Sequence, residues 1–230
     1  LSENAANVTA TTQMEAGLGV YKCDNTNGSN DVTYSNGTIT LNKANTAAIG
    51  VRVANTNETS ATTFTYGGLV GDAAGVQAFR NKVAITNNAI TNVYAAVLFN
   101  AATAASGTHS TNDTLNTISG NTITNFGGAA TASTVVSVTD NRSFTIANNS
   151  INGGASHTAA LTAINGGSGP HGQITGNTVT LASSTNLTGA IVGITYGASG
   201  TGNTASISNN TVQNCSFTAA TTAAFTAISS

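Results

Sequence analysis

Apolar residues recur along this chain in pairs whose two members stand five residues apart. The first members of successive pairs are separated by 33, 28, 28 and 33 residues, which is typical of a repeat architecture. Polar residues flank the second apolar residue, as in Thr122-Ile123-Thr124. This alternation predicts short strands with one residue facing a core and its neighbours facing outward. The pairs are Ile85/Ile90, Ile118/Ile123, Ile146/Ile151, Ile174/Val179 and Ile207/Val212.

Two polar residues at fixed positions separate the paired strands. The first is always Asn or Gly, the two residue types that adopt the left-handed backbone conformation at low cost, and the second is always Asn. We therefore predict a sharp left-handed bend, followed by asparagines that stack as a hydrogen-bonded ladder and stabilise the fold. The bend residues are Asn87, Gly120, Asn148, Gly176 and Asn209, and the ladder residues are Asn88, Asn121, Asn149, Asn177 and Asn210.

A third apolar cluster follows the first isoleucine of every repeat after a variable loop. Three short strands per repeat predict one coil of a parallel β-helix, with coils stacked about 4.8 Å apart. Parallel strands joined by crossovers favour the right-handed form. We predict an all-β, right-handed parallel β-helix of about seven coils. The third clusters are Val97–Phe99, Val135–Val138, Leu161–Ile164, Gly189–Ile194 and Phe225–Ile228.

Weaker copies of the pattern occupy the first 84 residues. Tyr34–Ile39 and Phe64–Leu69 keep the five-residue spacing, and Ile49–Val53 stands where a third strand is expected. Residues 1–30 fit no coil, and we interpret them as an N-terminal cap or lead-in segment because terminal repeats are usually atypical. Residues 31–230 are predicted to form a single solenoid domain.

The repeated phrase, approximately φ-[ST]-[NG]-N-[ST]-φ-[TNQ] with φ apolar, resembles the parallel β-helix repeat of the pectate-lyase-like superfamily. It is most similar to the Asn- and Thr-rich versions in large secreted or surface-attached bacterial proteins. The resemblance covers residues 85–228 well and 31–84 weakly. It implies the fold, whereas the function stays open because this fold serves lyases, hydrolases, adhesins and passive stalks.

Charged residues make up only 6% of the chain, and the net charge is −2. A surface without a basic stripe is not expected to bind nucleic acid or an anionic membrane. Apolar residues make up 40%, but no apolar run approaches the roughly 20 residues that cross a bilayer, so membrane insertion is not expected either. The low charge and the Asn/Thr-rich composition favour an extracellular or cell-surface location.

Few residues of this chain could carry enzyme chemistry. The resemblance implies that an enzyme of this fold would use clustered carboxylates, often with Ca²⁺, and a basic residue. Glycoside hydrolysis needs two carboxylates within about 5–10 Å of each other. From residue 83 onward the charged residues are Asp113, Asp140 and Arg142, which could occupy similar positions of adjacent coils. We keep them as an alternative catalytic group and favour the interpretation that both aspartates initiate turns.

No cofactor or metal site is expected. The histidines His109, His157 and His171 lie in loops at different offsets within their repeats, whereas a metal site shared between coils needs matching offsets.

Two binding functions remain as alternatives. Carbohydrate could bind to exposed aromatic residues near the third strands, such as Tyr94 and Tyr196. Ice could bind to threonine rows such as Thr122/Thr124 and Thr178/Thr180, although only two of five rows are complete. The ordinary preference of β-branched threonine for exposed strands explains those rows equally well.

The two cysteines lie near opposite ends of the chain. In about seven coils the first and the last stand roughly 30 Å apart, whereas a disulfide needs Cα atoms within about 7 Å. Cys23 and Cys215 are therefore not expected to pair within one chain unless the N-terminal segment runs back along the solenoid. They could pair between stacked chains, or serve as small buried apolar residues.

The last coil is predicted to run to Ser230 without an amphipathic helix or a charged strand to cover its edge. We therefore expect either that the chain continues in a longer protein or that another subunit caps this edge. Our leading hypothesis is a non-catalytic structural or adhesive extracellular β-helix that self-associates end to end into a filament. A glycan or another surface molecule is a further partner under this hypothesis. The alternative is a carbohydrate-binding or polysaccharide-degrading β-helix, and ice binding is a minor alternative.

Overall fold

In the computed structural model, the described part of the chain contains twenty β-strands and no helix. The structure describes residues 1–3, 7, 16–23, 27–56, 80–100, 113–128, 130–167, 169–183, 186–197, 204–219 and 222–230. The strands wind into six complete coils, preceded by one further strand, β1 (Ala16–Tyr21).

Each complete coil contributes three short strands, and the sixth contributes a fourth. Coils 1 to 3 consist of β2 (Val32–Ser35), β3 (Thr38–Thr40), β4 (Ile49–Ala54), β5 (Val83–Thr86), β6 (Ala89–Thr91), β7 (Ala95–Asn100), β8 (Asn116–Ser119), β9 (Thr122–Thr124) and β10 (Ser133–Thr139). Coils 4 to 6 consist of β11 (Ser143–Ala147), β12 (Ser150–Gly153), β13 (Leu161–Asn165), β14 (His171–Thr175), β15 (Thr178–Ser183), β16 (Ile191–Thr195), β17 (Thr204–Ser208), β18 (Thr211–Val212), β19 (Ser216–Phe217) and β20 (Phe225–Ser229).

Strands at the same place in successive coils form three parallel sheets. The first sheet runs in the order β2-β5-β8-β11-β14-β17, and the third in the order β1-β4-β7-β10-β13-β16-β20. The second sheet runs β3-β6-β9-β12-β15-β18, with β19 also pairing with β15. Each strand therefore pairs with the strand one coil away, which confirms the predicted right-handed parallel β-helix of about seven coils.

The register between coils aligns one inward-facing apolar column in each sheet. These columns form the core, and burying each branched side chain contributes roughly 1.5–3 kcal/mol. The columns are Tyr34-Ile85-Ile118-Ile146-Ile174-Ile207, Ile39-Ile90-Ile123-Ile151-Val179-Val212 and Leu18-Val51-Val97-Val136-Ile164-Ile194-Ile228.

The predicted left-handed bends are confirmed. All five bend residues between the first and second strands have a positive φ, from 54° to 67°. Asn36 in coil 1 has a φ of 54° and continues the series toward the N-terminus. The bend lets each coil turn the corner between its first two strands within two residues, such as Gly120 and Asn121 between β8 and β9.

The N-terminal segment contributes more to the solenoid than the sequence predicts. Strand β1 pairs with β4 in parallel and is the outermost strand of the third sheet. Ser2 forms a parallel bridge with Thr40 beside β3. Residues 1–30, interpreted above as a cap or lead-in, thus include a partial coil that stacks on coil 1.

One weak copy of the repeat, Phe64–Leu69, lies outside the described residues. The strands on either side of it pair directly with one another: β2 with β5, β3 with β6 and β4 with β7.

Candidate functional surfaces

The five constant asparagines form the predicted ladder. Asn121 shows the arrangement: its Oδ1 accepts hydrogen bonds from the backbone N and from Nδ2 of Asn88, both at 3.0 Å. Its own backbone N and Nδ2 donate to Oδ1 of Asn149 at 3.0 and 2.9 Å. Nδ2 also donates to the carbonyl oxygen of Ile85 in the preceding coil, at 2.9 Å. Each side chain therefore ties three coils together.

The ladder runs the whole length of the solenoid. It begins at Gly37, whose backbone N donates to Asn88 Oδ1 at 2.8 Å, and ends at Asn210, whose Oδ1 accepts from Asn177. Asn88 through Asn177 are almost fully buried. Their polar atoms are used within the fold, which makes the most repeated residue of the chain a structural element with no surface to offer a ligand.

The three residues kept as an alternative catalytic group do not share an open cleft. Asp113 is fully buried, and its carbonyl oxygen accepts a hydrogen bond from the backbone N of Arg142 at 2.7 Å. Asp140 and Arg142 are half-buried in the neighbouring coil, and Asp140 occupies a left-handed turn position with a φ of 55°. A carboxylate sealed from solvent cannot reach a polysaccharide at the surface, so the geometry favours the turn role for Asp140 and a buried role for Asp113.

Asp113 belongs instead to a buried cluster that the sequence analysis missed. Its Oδ1 accepts hydrogen bonds from Lys22 Nζ at 2.9 Å and from the backbone N of Asn81 at 2.8 Å, and its Oδ2 accepts from Asn81 Nδ2 at 2.9 Å. The amide oxygen of Asn81 accepts from the backbone N of Ser29 at 2.8 Å. Burial lowers the pKa of the Lys22 amine, and the Asp113 charge partly offsets this effect. Lys22 lies in the partial N-terminal coil, outside the repeat. The periodic pattern of the sequence therefore could not predict its contact with Asp113.

The described histidines do not form a metal site. His157 is buried, its Nε2 lies 2.9 Å from the carbonyl oxygen of Ala160, and its Nδ1 accepts from the backbone N of Gly128 at 3.4 Å. Burial lowers the pKa of this imidazole. His171 is exposed on β14, and His109 lies outside the described residues. Among the described residues no group of three or more His, Cys, Asp or Glu side chains could hold a metal ion.

The prediction that Tyr94 and Tyr196 are exposed was wrong. Both rings are buried at corners of the solenoid. The Tyr94 hydroxyl lies 2.7 Å from the carbonyl oxygens of Thr131 and Ala132, and the Tyr196 hydroxyl donates to that of Gly169 at 2.8 Å. Backbone carbonyls thus satisfy the polar tip of each ring, which allows the apolar body to pack in the interior. Neither ring can stack on a sugar at the surface.

An open groove crosses four coils on the outer face of the first sheet. Its volume is about 380 Å³, and its floor is a register-aligned row from β8, β11, β14 and β17. Most of the lining residues carry a hydroxyl, amide or imidazole group, and the lining also includes one exposed large apolar side chain, Leu115. The lining includes Leu115, Thr117, Thr145, His171, Gln173 and Ser206.

The threonine rows of the second sheet lie outward and in register, as their alternation predicts. Thr122 pairs with Ser150 and Ser150 pairs with Thr178, so complete and incomplete rows alternate along the solenoid. Thr124 Oγ1 donates to Thr91 Oγ1 at 3.0 Å, which shows that neighbouring hydroxyls bond to one another in the sheet. A surface broken by Ser150 and Asn152 offers no continuous threonine array for ice.

Both cysteines are free thiols. Cys23 is exposed, which rules out the buried apolar role for it, and Cys215 is half-buried. Cys23 follows β1 at the corner between the third and first sheets, whereas Cys215 follows β18 at the corner after the second sheet. A joint between stacked chains that continued the columns would place the two thiols at different corners, so this geometry does not favour the intermolecular disulfide.

The C-terminal end of the solenoid exposes residues whose counterparts in the preceding coil are buried. In the third sheet Ile228 pairs with Ile194 and Phe225 pairs with Ile191. Ile194 and Ile191 are at most 1% exposed, whereas Ile228 is 44% and Phe225 45% exposed. Within the described residues no strand pairs with the outer edges of β17, β18 and β20. This end therefore presents an apolar surface framed by open strand edges.

No helix in the described part of the chain is long and apolar enough to span a membrane.

Comparison with known proteins shows no relationship to a known family or structure. Searches against protein-family models, curated proteins and solved structures found no match.

Proposed function

We propose that this chain is a non-catalytic structural or adhesive β-helix whose copies stack head to tail into a filament. The observation that carries the proposal is the exposed apolar end at β17, β18 and β20. Open parallel strand edges recruit further strands, and a heterologous contact that does not close on itself produces a filament.

The opposite end of the solenoid has the complementary chemistry. The first members of two core columns, Leu18 and Tyr34, are half-buried there and pack on the core. In a head-to-tail joint, Ile228 would meet the column that begins at Leu18. The first sheet would keep one unfilled strand position between Ile207 and Tyr34, because β1 extends the third sheet one coil beyond β2. A net charge of −2 on 230 residues gives little repulsion between copies.

The asparagine ladder would not continue across such a joint. Gly37 stands at the ladder position of coil 1 and has no side-chain oxygen to accept from Asn210. Strand edges and the apolar columns would therefore carry the contact, which makes it weaker than the stacking of coils within one chain.

Electron microscopy and sedimentation velocity over a wide range of protein concentration test the proposal. We expect short rods at low concentration and filaments one solenoid wide at high concentration. Ile228→Lys places a charge in the joint and should abolish the filaments while leaving the monomer folded. Leu115→Lys is the matched control, because Leu115 is 62% exposed on the side of the solenoid. Dispersed monomers at every concentration would contradict the proposal.

A glycan-binding function is the second candidate, and the groove on the first sheet favours it. Its hydroxyl and amide groups, spread over four coils, suit the repeated hydroxyls of an extended polysaccharide. Binding measured on a glycan array should fall for Gln173→Ala and stay unchanged for Ser137→Ala on the third sheet. Equal binding by the two variants would mean that the glycan binds outside this groove, or that the chain does not bind glycan.

We also propose that the chain works outside the cell or on its surface, among the Asn/Thr-rich relatives of the pectate-lyase-like superfold. The low charge and the repeat phrase support this location. Immunodetection of the chain in the medium or on intact host cells tests it, and detection only after lysis would contradict it.

A further inference from the structure

We propose that the buried cluster of Lys22, Asn81 and Asp113 forms an intramolecular isopeptide bond between Lys22 Nζ and Asn81 Cγ. The bond would link the partial N-terminal coil to the segment that leads into coil 2. The inference does not depend on end-to-end assembly, because it concerns residues in the interior of one chain.

The three side chains have complementary chemical roles. An amine is the nucleophile, a carboxamide is the electrophile, and a carboxylate contacts both. Lys22 Nζ donates to one oxygen of Asp113 at 2.9 Å, and Asn81 Nδ2 donates to the other at 2.9 Å. Asp113 can therefore take a proton from the attacking amine and deliver one to the departing nitrogen.

The carbonyl group of Asn81 is oriented and polarised for attack. Its oxygen accepts a hydrogen bond from the backbone N of Ser29 at 2.8 Å. Such a donor stabilises the negative charge that develops on this oxygen in the tetrahedral intermediate. The backbone N of Asn81 also donates to Asp113 at 2.8 Å, which fixes the amide next to the carboxylate that bonds the amine.

Burial favours the reaction in two ways. Lys22, Asn81 and Asp113 are each at most 1% exposed, so water is kept from competing with the amine for the amide carbon. The same burial lowers the pKa of the Lys22 amine and raises the share of its neutral, nucleophilic form. A buried ion pair is also costly to maintain, and the reaction replaces it with neutral groups.

The step balances within the cluster. The Lys22 ammonium transfers a proton to the Asp113 carboxylate, and the resulting amine forms a bond to Asn81 Cγ. The tetrahedral intermediate then breaks the Cγ–Nδ2 bond, and this nitrogen leaves as ammonia after taking a proton from the attacking nitrogen through Asp113. One ammonium, one carboxylate and one primary amide become one secondary amide, one molecule of ammonia and one carboxylic acid.

Mass spectrometry of the purified, folded chain tests the proposal. The intact mass should fall by one ammonia, about 17 Da, relative to the sequence mass. Trypsin should fail to cleave at Lys22 and should release peptide 1–43 with the dipeptide Asn81-Lys82 attached to it. A folded chain that keeps its full mass and cleaves at Lys22 after prolonged incubation would overturn the proposal.

Variants separate this bond from other losses of mass. Lys22→Arg and Asp113→Asn should keep the full mass, and Lys82→Arg should not change the loss, because Lys82 is solvent-exposed in an ion pair with Asp31. A loss of ammonia that survives in Lys22→Arg would indicate succinimide formation at another asparagine and would overturn the assignment. Attachment of peptide 1–43 to peptide 83–142, with loss of water, would assign the bond to Asp113 and overturn the role of Asn81. If a variant does not fold, the peptide map of the unaltered chain alone decides.

Discussion

At the scale of single residues, asparagine is the one side chain that fits the ladder position. Its oxygen accepts two hydrogen bonds from the preceding coil, and its nitrogen donates to the coils on both sides, as Asn149 does toward Asn121, Ile118 and Asn177. Aspartate has no N–H to donate, and serine is too short to reach two coils. The position is therefore always asparagine in these five coils because it needs a side chain that both accepts and donates hydrogen bonds.

Asn149→Ala should lower the free energy of unfolding by about 2–4 kcal/mol, because it leaves the buried amide groups of Asn121 without their acceptor. Chemical denaturation measures the change. Asn152→Ala is the matched control: it removes the same side chain three residues later, where it is exposed on β12, and should cost less than about 0.5 kcal/mol. Equal losses in the two variants would refute the structural role of the ladder.

His157 should make stability depend on pH. Burial lowers its pKa in the folded chain below the unfolded value of about 6.5. At a pH between these two pKa values, the unfolded chain binds more protons than the folded chain. The free energy of unfolding should therefore fall as the pH falls below about 6.5, by up to about 1.4 kcal/mol per pH unit.

Urea denaturation between about pH 7.5 and pH 5 measures this slope. His157→Gln should flatten the part of the slope near pH 6, whereas His171→Gln, an exposed site on β14, should leave it unchanged. A slope that survives in His157→Gln would assign the dependence to other groups.

At the scale of the strand–bend–strand element, asparagine and glycine alternate from Asn87 to Asn209 for a steric reason. Asn87 Oδ1 lies 2.2 Å from the place where a Cβ on Gly120 would stand, and Asn148 Oδ1 lies 2.3 Å from that of Gly176. Asn87 and Asn148 thus each lie over a glycine of the next coil. Backbone conformation admits both residue types, and the space left by the preceding coil selects between them.

Gly120→Ala should destabilise the chain by about 1–2 kcal/mol, because alanine is strained at a φ of 66°. Gly120→Asn should cost less in backbone strain but crowd Asn87. The double variant Asn87→Gly/Gly120→Asn should recover part of that loss, since the asparagine moves one coil along while its space is freed. Thermal unfolding of the unaltered chain, Asn87→Gly, Gly120→Asn and the double variant measures the coupling between the two positions. Strictly additive effects would argue against the steric account.

The repeated elements could be predicted from the sequence, and the elements outside the repeat could not. Ile118, Asn121 and Ile123 recur at one spacing, and this periodicity fixes the strands, the bend and the ladder because each coil repeats the same contacts. Lys22 meets Asp113 across 91 positions of the chain, and no periodic signal reports a contact made once. The burial of Tyr196 was missed because its exposure depends on a corner formed by Phe144 and Gly169 of other coils.

At the scale of the whole molecule, the solenoid is a stack in which each coil is covered by its neighbours, except at the ends. Ile164 and Ile228 occupy the same column of the third sheet, yet Ile164 is fully buried and Ile228 is 44% exposed. Stability in such an array is approximately the sum of coil and interface contributions. The same substitution in different coils therefore lowers the stability according to how deeply its side chain is buried there.

Ile164→Ala should cost about 3 kcal/mol in a dilute solution of monomers, the usual loss for a large cavity in a core. Ile228→Ala in the same column should cost less than about 1 kcal/mol there, because solvent already reaches its side chain. If copies stack, a higher protein concentration should increase the cost of Ile228→Ala, because a neighbouring copy then buries Ile228. This substitution should also raise the concentration at which filaments form. Denaturation at low concentration and sedimentation at high concentration measure the two effects. A cost at Ile228 equal to that at Ile164 under dilute conditions would mean that the C-terminal coil is covered within one chain, and head-to-tail stacking would lose its basis.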